Sequence, residues 1–317
     1  MRGLTHAFMV AFLLLPVTAL AEDTQTKEDV LSLTDASLTL NQSFERLPQW
    51  RQGGVQVNAA PAPLSDPSFS WVAGYIWDHP PVGAPRPWPQ PTRNFPAWTS
   101  NGAAEASPNG DMIARLPPNL APLTWSKTLD FNVRPMPADL ANTVSTSDPK
   151  DYLGATISSF PYAQKYGVFE MSAKLPTGKG IWPAFWLLPV DKSWPPEIDV
   201  MEVLGKEPRT VYTTVHTNFP KRGASFGQGT DTHVDLSADF HTYTVDWGPA
   251  RINWYFDHKL IFTQPTPPDL QKPCYIIANV AVGSPKSWGG APDATTNFPA
   301  TMHVSYIKAW QREAYQD

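Results

Sequence analysis

A single cysteine in 317 residues excludes an intramolecular disulfide, so the fold must rest on its apolar core. That residue, Cys274, lies in the run CYIIANVAV, a setting for a packed thiol rather than a nucleophile. Charge is also scarce: 17% of the side chains are charged, with 24 basic against 29 acidic and a net charge of −5. Such a chain has no basic stripe for nucleic acid and no polybasic patch for a membrane surface. No clear amphipathic helix can be found, and no stretch after the first residues is apolar over the roughly 20 positions that a membrane-crossing helix needs.

The N-terminus MRGLTHAFMVAFLLLPVTALAED has an early arginine, an apolar run from Ala7 to Leu15 and small residues at Ala19 and Ala21. This is the pattern of a secretory signal peptide over residues 1–21, too short for a membrane anchor. It predicts a secreted or periplasmic protein with no membrane contact after cleavage. A polar tail over 22–32 and one β domain over 33–317 account for the rest. Thirteen tryptophans and ten tyrosines fit a partner with flat apolar faces, such as a sugar ring, although any single ring is more often core.

Between Ala59 and Pro122 the chain is loaded with proline, as in HPPVGAPRPWPQP, which rules out long helices and central strands there. Long surface loops carrying Trp71, Tyr75, Trp77, Trp88 and Trp98 are expected. The segment Leu38 to Phe44 alternates like a strand. From Tyr152 onward nine short β runs follow: GATISSF, GVFEMSAKL, PAFWLLPV, EIDVMEVL, TVYTTVHT, HTYTVDW, INWYFDHKLIF, CYIIANVAV and MHVSYIKAW. Their spacing predicts an all-β sandwich of two antiparallel sheets. In INWYFD, for example, Ile252, Trp254 and Phe256 share one face, as in a half-buried strand.

Chemistry concentrates in Glu197-Ile198-Asp199-Val200-Met201-Glu202, three acids in a strand otherwise built of Ile, Val and Met. Strand parity puts Glu197 and Asp199 on one face and Glu202 on the other, unless Met201 and its neighbour form a β-bulge that returns Glu202 to the same side. Like charges so crowded hold at least one proton near neutral pH, which supplies an acid beside a base. A retaining glycosidase needs that pair, one carboxylate to attack and one acid to protonate the leaving oxygen. A solvated acidic face and an oxygen-ligand Ca²⁺ site are the alternatives, though the segment lacks the glycine and asparagine of a calcium loop.

The signature resembles that of glycoside hydrolase family 16, and the similarity extends on both sides of it. Tyr166-Gly167-Val168-Phe169-Glu170 with Lys174-Leu175-Pro176, Gly180 through Pro189, Phe240 through Trp247, Ile252 through Tyr255, Asn279 through Gly283, and Trp288-Gly289-Gly290 all match the family's pattern. The resemblance implies a β-jelly-roll whose concave sheet forms a substrate cleft. It assigns Glu197 as nucleophile, Asp199 as its supporting carboxylate and Glu202 as acid/base. It also puts Trp182, Trp186, Trp194, Asn279 and Trp288 around the bound sugar, with His216 near Glu202.

The implied activity is endo-hydrolysis of a β-linked polysaccharide by a monomer, with β-1,3-glucan as first choice and mixed-linkage glucan or a bacterial exopolysaccharide behind it. Transglycosylation on the same scaffold and noncatalytic sugar binding are the competing readings. The chemistry requires no cofactor and no metal. Two departures stand out. Many relatives read Glu-x-Arg where this chain has Ser172, implying that an anchoring cation of the cleft is missing or supplied elsewhere. The family's Val-Asp-Tyr, whose aspartate helps hold a structural Ca²⁺, is Val304-Ser305-Tyr306 here, which argues against that ion.

Overall fold

The computed structural model describes residues 30–43, 50–52, 55–57, 71–73, 105–106, 123–138, 151–159 and 162–315, with only the backbone of the short strands between 50 and 106. The signal peptide, most of the expected tail, and the aromatics Tyr75, Trp77, Trp88 and Trp98 lie outside the described residues.

Nineteen strands are described. They are β1 (Ala36–Ser43), β2 (Trp50–Gln52), β3 (Val55–Val57), β4 (Trp71–Ala73), β5 (Glu105–Ala106), β6 (Leu123–Trp125), β7 (Leu129–Pro135), β8 (Tyr152–Leu153), β9 (Ala155–Ser158) and β10 (Gly167–Lys174). There follow β11 (Ile181–Pro189), β12 (Glu197–Glu202), β13 (Thr210–Thr217), β14 (Ala224–Asp231), β15 (His241–Trp247), β16 (Arg251–Phe256), β17 (Lys259–Pro265), β18 (Cys274–Val282) and β19 (Ala300–Arg312). One sheet runs β17-β16-β15-β10-β19-β7-β8-β5, with β1 and β6 paired at its side; the other runs β14-β13-β12-β11-β18-β9-β4-β2-β3. Pairing is antiparallel except between β2 and β4 and between β5 and β8.

The core fills the space between the sheets. Period-two alternation sends Phe169, Met171 and Ala173 of β10, Ile181, Phe185 and Leu187 of β11, and Ile276, Ala278 and Val280 of β18 inward. Ile252, Trp254 and Phe256 face the same core, as the alternation requires, and Cys274 is buried among them. The opposite face of the nine-stranded sheet carries a smaller apolar group of Ala184, Trp186, Leu188, Tyr275 and Ile277. That face holds the carboxylate cluster.

Three local features differ from the sequence reading. INWYFDHKLIF is a hairpin, broken where Asp257 and His258 take φ of 45° and 63°, a two-residue reversal made without glycine. β14, read as no strand, has the sequence ASFGQGTD, with two glycines and no run of β-branched residues, and is held by its full-length pairing to β13. Residues 30–32, the end of the expected tail, are docked: Leu31 N donates to His258 O, and Arg312 binds Ser32 O, Asp35 and Asp246.

Candidate active site

β12 forms because Ile198, Val200, Met201 and Val203 have a core to enter. Its register shows how three acids reach the opposite face. Asp199 pairs with Thr214 and Glu202 with Tyr212 on β13, while Trp186 pairs with Asp199 and Phe185 with Met201 on β11. Val200 and Met201 therefore stand against the single residue Thr213 as a β-bulge, both side chains turned into the core. The extra residue restores parity, and Glu197, Asp199 and Glu202 share one face. From the opposing sheet the buried Trp254 donates its indole N–H to the Asp199 carbonyl at 2.9 Å, pinning the bulge from beneath.

Each acid has a partner from a neighbouring element. Trp194, in the loop before β12, donates its indole N–H to Glu197 Oε2 at 2.6 Å. Trp182 of β11 donates to Glu202 Oε1 at 3.0 Å. His216, opposite Glu197 on β13, places Nε2 3.1 Å from Asp199 Oδ2, an ion-pair contact rather than a well-aligned hydrogen bond. Thus the structure brings Trp182, Trp194 and His216 into direct contact with the acids. Trp288 joins through aromatic edges, 5.7 Å from the Trp182 ring and 4.5 Å from that of Tyr212. Its loop closes tightly because Gly283 has no side chain: a Cβ there would sit 2.2 Å from the Gly290 carbonyl oxygen. Trp194 and Trp288 stay open to solvent, at 45% and 39% exposure.

Trp186 and Asn279 also lie on this face, one and two strands from β12. They bind each other, Trp186 Nε1 donating to Asn279 Oδ1 at 2.7 Å, and both are buried. They form the floor of the neighbouring strands, Trp186 standing opposite Asp199 in the ladder. Ser172 corrects an expectation: it lies on β10, in the other sheet, on the face turned away from the core. An arginine in its place would not reach the cleft, so its absence says nothing about substrate anchoring.

The charges of the cluster are interdependent. Burial works against a proton on His216, but the Asp199 contact and the charges of Glu197, Asp199 and Glu202 push its pKa up to about 10, so it is cationic at neutral pH. Burial raises Glu202 from 4.5 to about 7, the charge of Glu197 adding to the rise while His216 and the Trp182 N–H oppose it. Glu202 keeps partial exposure on that face of the sheet, although protein surrounds its carboxyl closely. Glu197 is pushed up by burial and then by Asp199, and drawn back by His216 and the Trp194 N–H. Asp199 is raised by burial and by Glu202, and lowered by its contact with His216. One cation among three carboxyls leaves a set that shares protons and titrates as a unit. Glu197, Asp199 and His216 each offer an atom within 4.8 Å of the others, a spacing that would suit a small divalent ion only with His216 deprotonated.

Sequence reasoning missed Tyr212 and Glu207. Tyr212 pairs with Glu202 in register, gives its hydroxyl hydrogen to Glu207 and supports Trp288. A signal existed: in TVYTTVHT, Tyr212 lies four residues before His216, so strand parity puts both on one face.

The sequence matches the profile of glycosyl hydrolases family 16 over residues 126–308, more than half of the chain. It is 35% identical over 223 residues to endo-1,3-1,4-beta-glycanase ExsH of Rhizobium meliloti (strain 1021), covering 68% of this chain and 47% of that one. It is 40% identical over 165 residues to endo-1,3-1,4-beta-glycanase EglC of the same organism, covering 52% and 34%. The chain thus spans less than half the length of either relative. Among solved structures, the catalytic domain of an endo-1,3-beta-glucanase (laminarinase) from Thermotoga petrophila RKU-1 aligns with a TM-score of 0.64 and 28% identity, covering 88% of this chain and 99% of that one.

Proposed function

The chain belongs to glycosyl hydrolases family 16, and from that membership we propose that it is an exported, endo-acting β-glycanase that cleaves β-1,3-glucan or mixed-linkage β-1,3-1,4-glucan with net retention. The observation that carries this reading is the bulged strand that puts Glu197, Asp199 and Glu202 on one face, with a cationic His216 beside them. The relatives, endo-1,3-1,4-beta-glycanases and a laminarinase, supply the substrate class.

In the first step a carboxylate oxygen of Glu197 attacks the anomeric carbon, and Glu202 passes its proton to the glycosidic oxygen as that bond breaks. Glu202, titrating near neutrality, holds the required proton while facing the cleft. Glu197 attacks in its ionised form; burial and Asp199 push its pKa well up, and His216 and the Trp194 N–H are the groups that favour its ionisation. In the second step Glu202 takes a proton from water, whose oxygen displaces Glu197 and restores the original anomeric configuration. Asp199, between the two and paired with His216, orients the nucleophile. Trp182, Trp194 and Trp288 offer rings to the sugar faces, and Tyr212 backs Trp288.

The test is release of new reducing ends from laminarin, lichenan and a succinoglycan-type polymer, with Glu197→Gln as control and NMR of the first-formed anomer. Cleavage by the wild type alone, with the β-anomer formed first, is expected. Turnover by Glu197→Gln, or an inverted product, refutes the assignment. Binding without any new reducing ends would favour a noncatalytic sugar-binding sandwich.

A further inference from the structure

Trp194 touches Glu197 from a loop, and its ring is 45% exposed. Its ring leans on that of His216, centroids 6.1 Å apart, but stays open to solvent, so the place of the N–H depends in large part on how the loop backbone is held. That loop leaves β11 through a tight reversal in which Lys192 N donates to Pro189 O and Lys192 takes a φ of 62°. Immediately after it, Asp191 Oδ1 accepts from both the backbone N–H and the hydroxyl of Ser193, at 3.0 and 2.6 Å.

A residue 81 positions away in sequence completes the arrangement. Lys272, just before β18, brings Nζ to 2.8 Å from Asp191 Oδ2 and 2.9 Å from Ser193 Oγ. Next to it Val190 N donates to Pro273 O at 3.1 Å, so backbone and side chain both tie the two loops together. We propose that Lys272 is a positioning residue of the cleft: by clamping Asp191 and Ser193 it fixes the loop that presents Trp194, and so holds the indole N–H on Glu197. This rests on the reading of Glu197 as nucleophile. The Asp191 carboxyl, which burial would raise, is held instead at about 2 by hydrogen bonds from Lys272 and Ser193.

The mechanical path is short. Ser193 is the residue before Trp194, and Trp194 lies three residues from Glu197, so a loosened clamp is felt at the indole rather than absorbed along a long loop. An isolated ion pair at this exposure contributes little to stability, so the clamp acts on geometry, and misplacement of a reacting group is costly even when the fold is intact.

The experiment compares wild type, Lys272→Met, Lys272→Arg, Trp194→Phe and the double variant Lys272→Met/Trp194→Phe, with unfolding curves to confirm the fold. Lys272→Met is expected to lower kcat about 10-fold, with KM rising by a smaller factor because the Trp194 ring is displaced together with its N–H. The acidic limb of kcat/KM should move to higher pH, since Glu197 loses a donor that favours its ionised form. Lys272→Arg should restore most of the loss. Because Lys272 acts on Glu197 through the Trp194 N–H, adding Lys272→Met to Trp194→Phe should cost no further kcat.

Wild-type kinetics in Lys272→Met, or a full additional loss in the double variant, overturns the proposal. Carboxyl-carbon NMR titration of Glu197 reads the same effect without turnover. A higher Glu197 pKa in Lys272→Met supports the clamp even where no polymer is cleaved, and an unchanged one rejects it. Failure of the clamp is thereby separated from failure of the glycanase reading.

Discussion

Replacing Trp182 by phenylalanine removes one N–H from Glu202 while keeping most of the ring. The bond is 3.0 Å long and runs to the carboxyl proposed as the proton donor. A hydrogen bond to a charged acceptor contributes about 1.5–3 kcal/mol, and about 1.4 kcal/mol corresponds to one pKa unit, so the ceiling on the shift is about 1–2 units. Trp182 is half-buried, and water will take part of the vacated position, which reduces the expected shift to about 0.5–1 unit.

The sign is fixed by which form accepts the bond better. The ionised carboxylate does, so its loss raises Glu202 further above its present value of about 7. Since the acid must carry its proton in the free enzyme, the basic limb of kcat/KM should move to higher pH by that amount while the acidic limb stays in place. Rates of reducing-end release at substrate well below KM, from about pH 5 to 9, provide the profile. A basic limb that stays put or moves down would refute both the role of Glu202 and the account of its pKa.

Glu202→Gln is expected to gain stability relative to wild type as the pH rises. The folded-state pKa of Glu202 is raised from 4.5 to about 7, so its contribution is fully present below pH 4.5 and lost as pH rises through about 7. The ceiling is about 3 kcal/mol, and exposure to the cleft reduces it to about 1–2. Urea unfolding at pH 4.5 and 8.5 checks this, and a difference that does not change between the two pH values contradicts it. Trp254→Phe leaves the buried Asp199 carbonyl without its indole donor. Denaturant unfolding should show a loss of about 1–3 kcal/mol, with kcat falling more than KM rises. Deleting Val200 gives an unbulged strand in which Glu197, Asp199 and Glu202 still alternate onto one face. It should fold with reduced stability and keep detectable turnover, and complete inactivity in a folded variant would contradict the parity argument.

The fold was legible because alternation survives in the strands that face the core. Ile252, Trp254 and Phe256 announce their face in the sequence, and the odd spacing of Glu197 and Glu202 announces a bulge. β14 was not, since Gly227 and Gly229 erase the pattern and only pairing with β13 makes it a strand. Nor was the side on which Ser172 lies, because sheet membership follows from long-range pairing and not from local period. The direct partners of the acids were readable as motif residues. The clamp on the Trp194 loop was not, because Lys272 meets Asp191 only after the chain has crossed the sandwich and returned to β18.

The bulge in β12 also acts as a ruler. Glu197 and Glu202 ride on one short piece of chain, so their separation is set by bonded geometry and by the ladders on either side, whatever the two sheets do relative to each other. The aromatic rings that would hold the sugar, Trp194 and Trp288, hang on loops at the margins. Warming should therefore loosen the grip on substrate before it disturbs the spacing of the carboxyls proposed to react, and KM should climb with temperature while kcat is still rising.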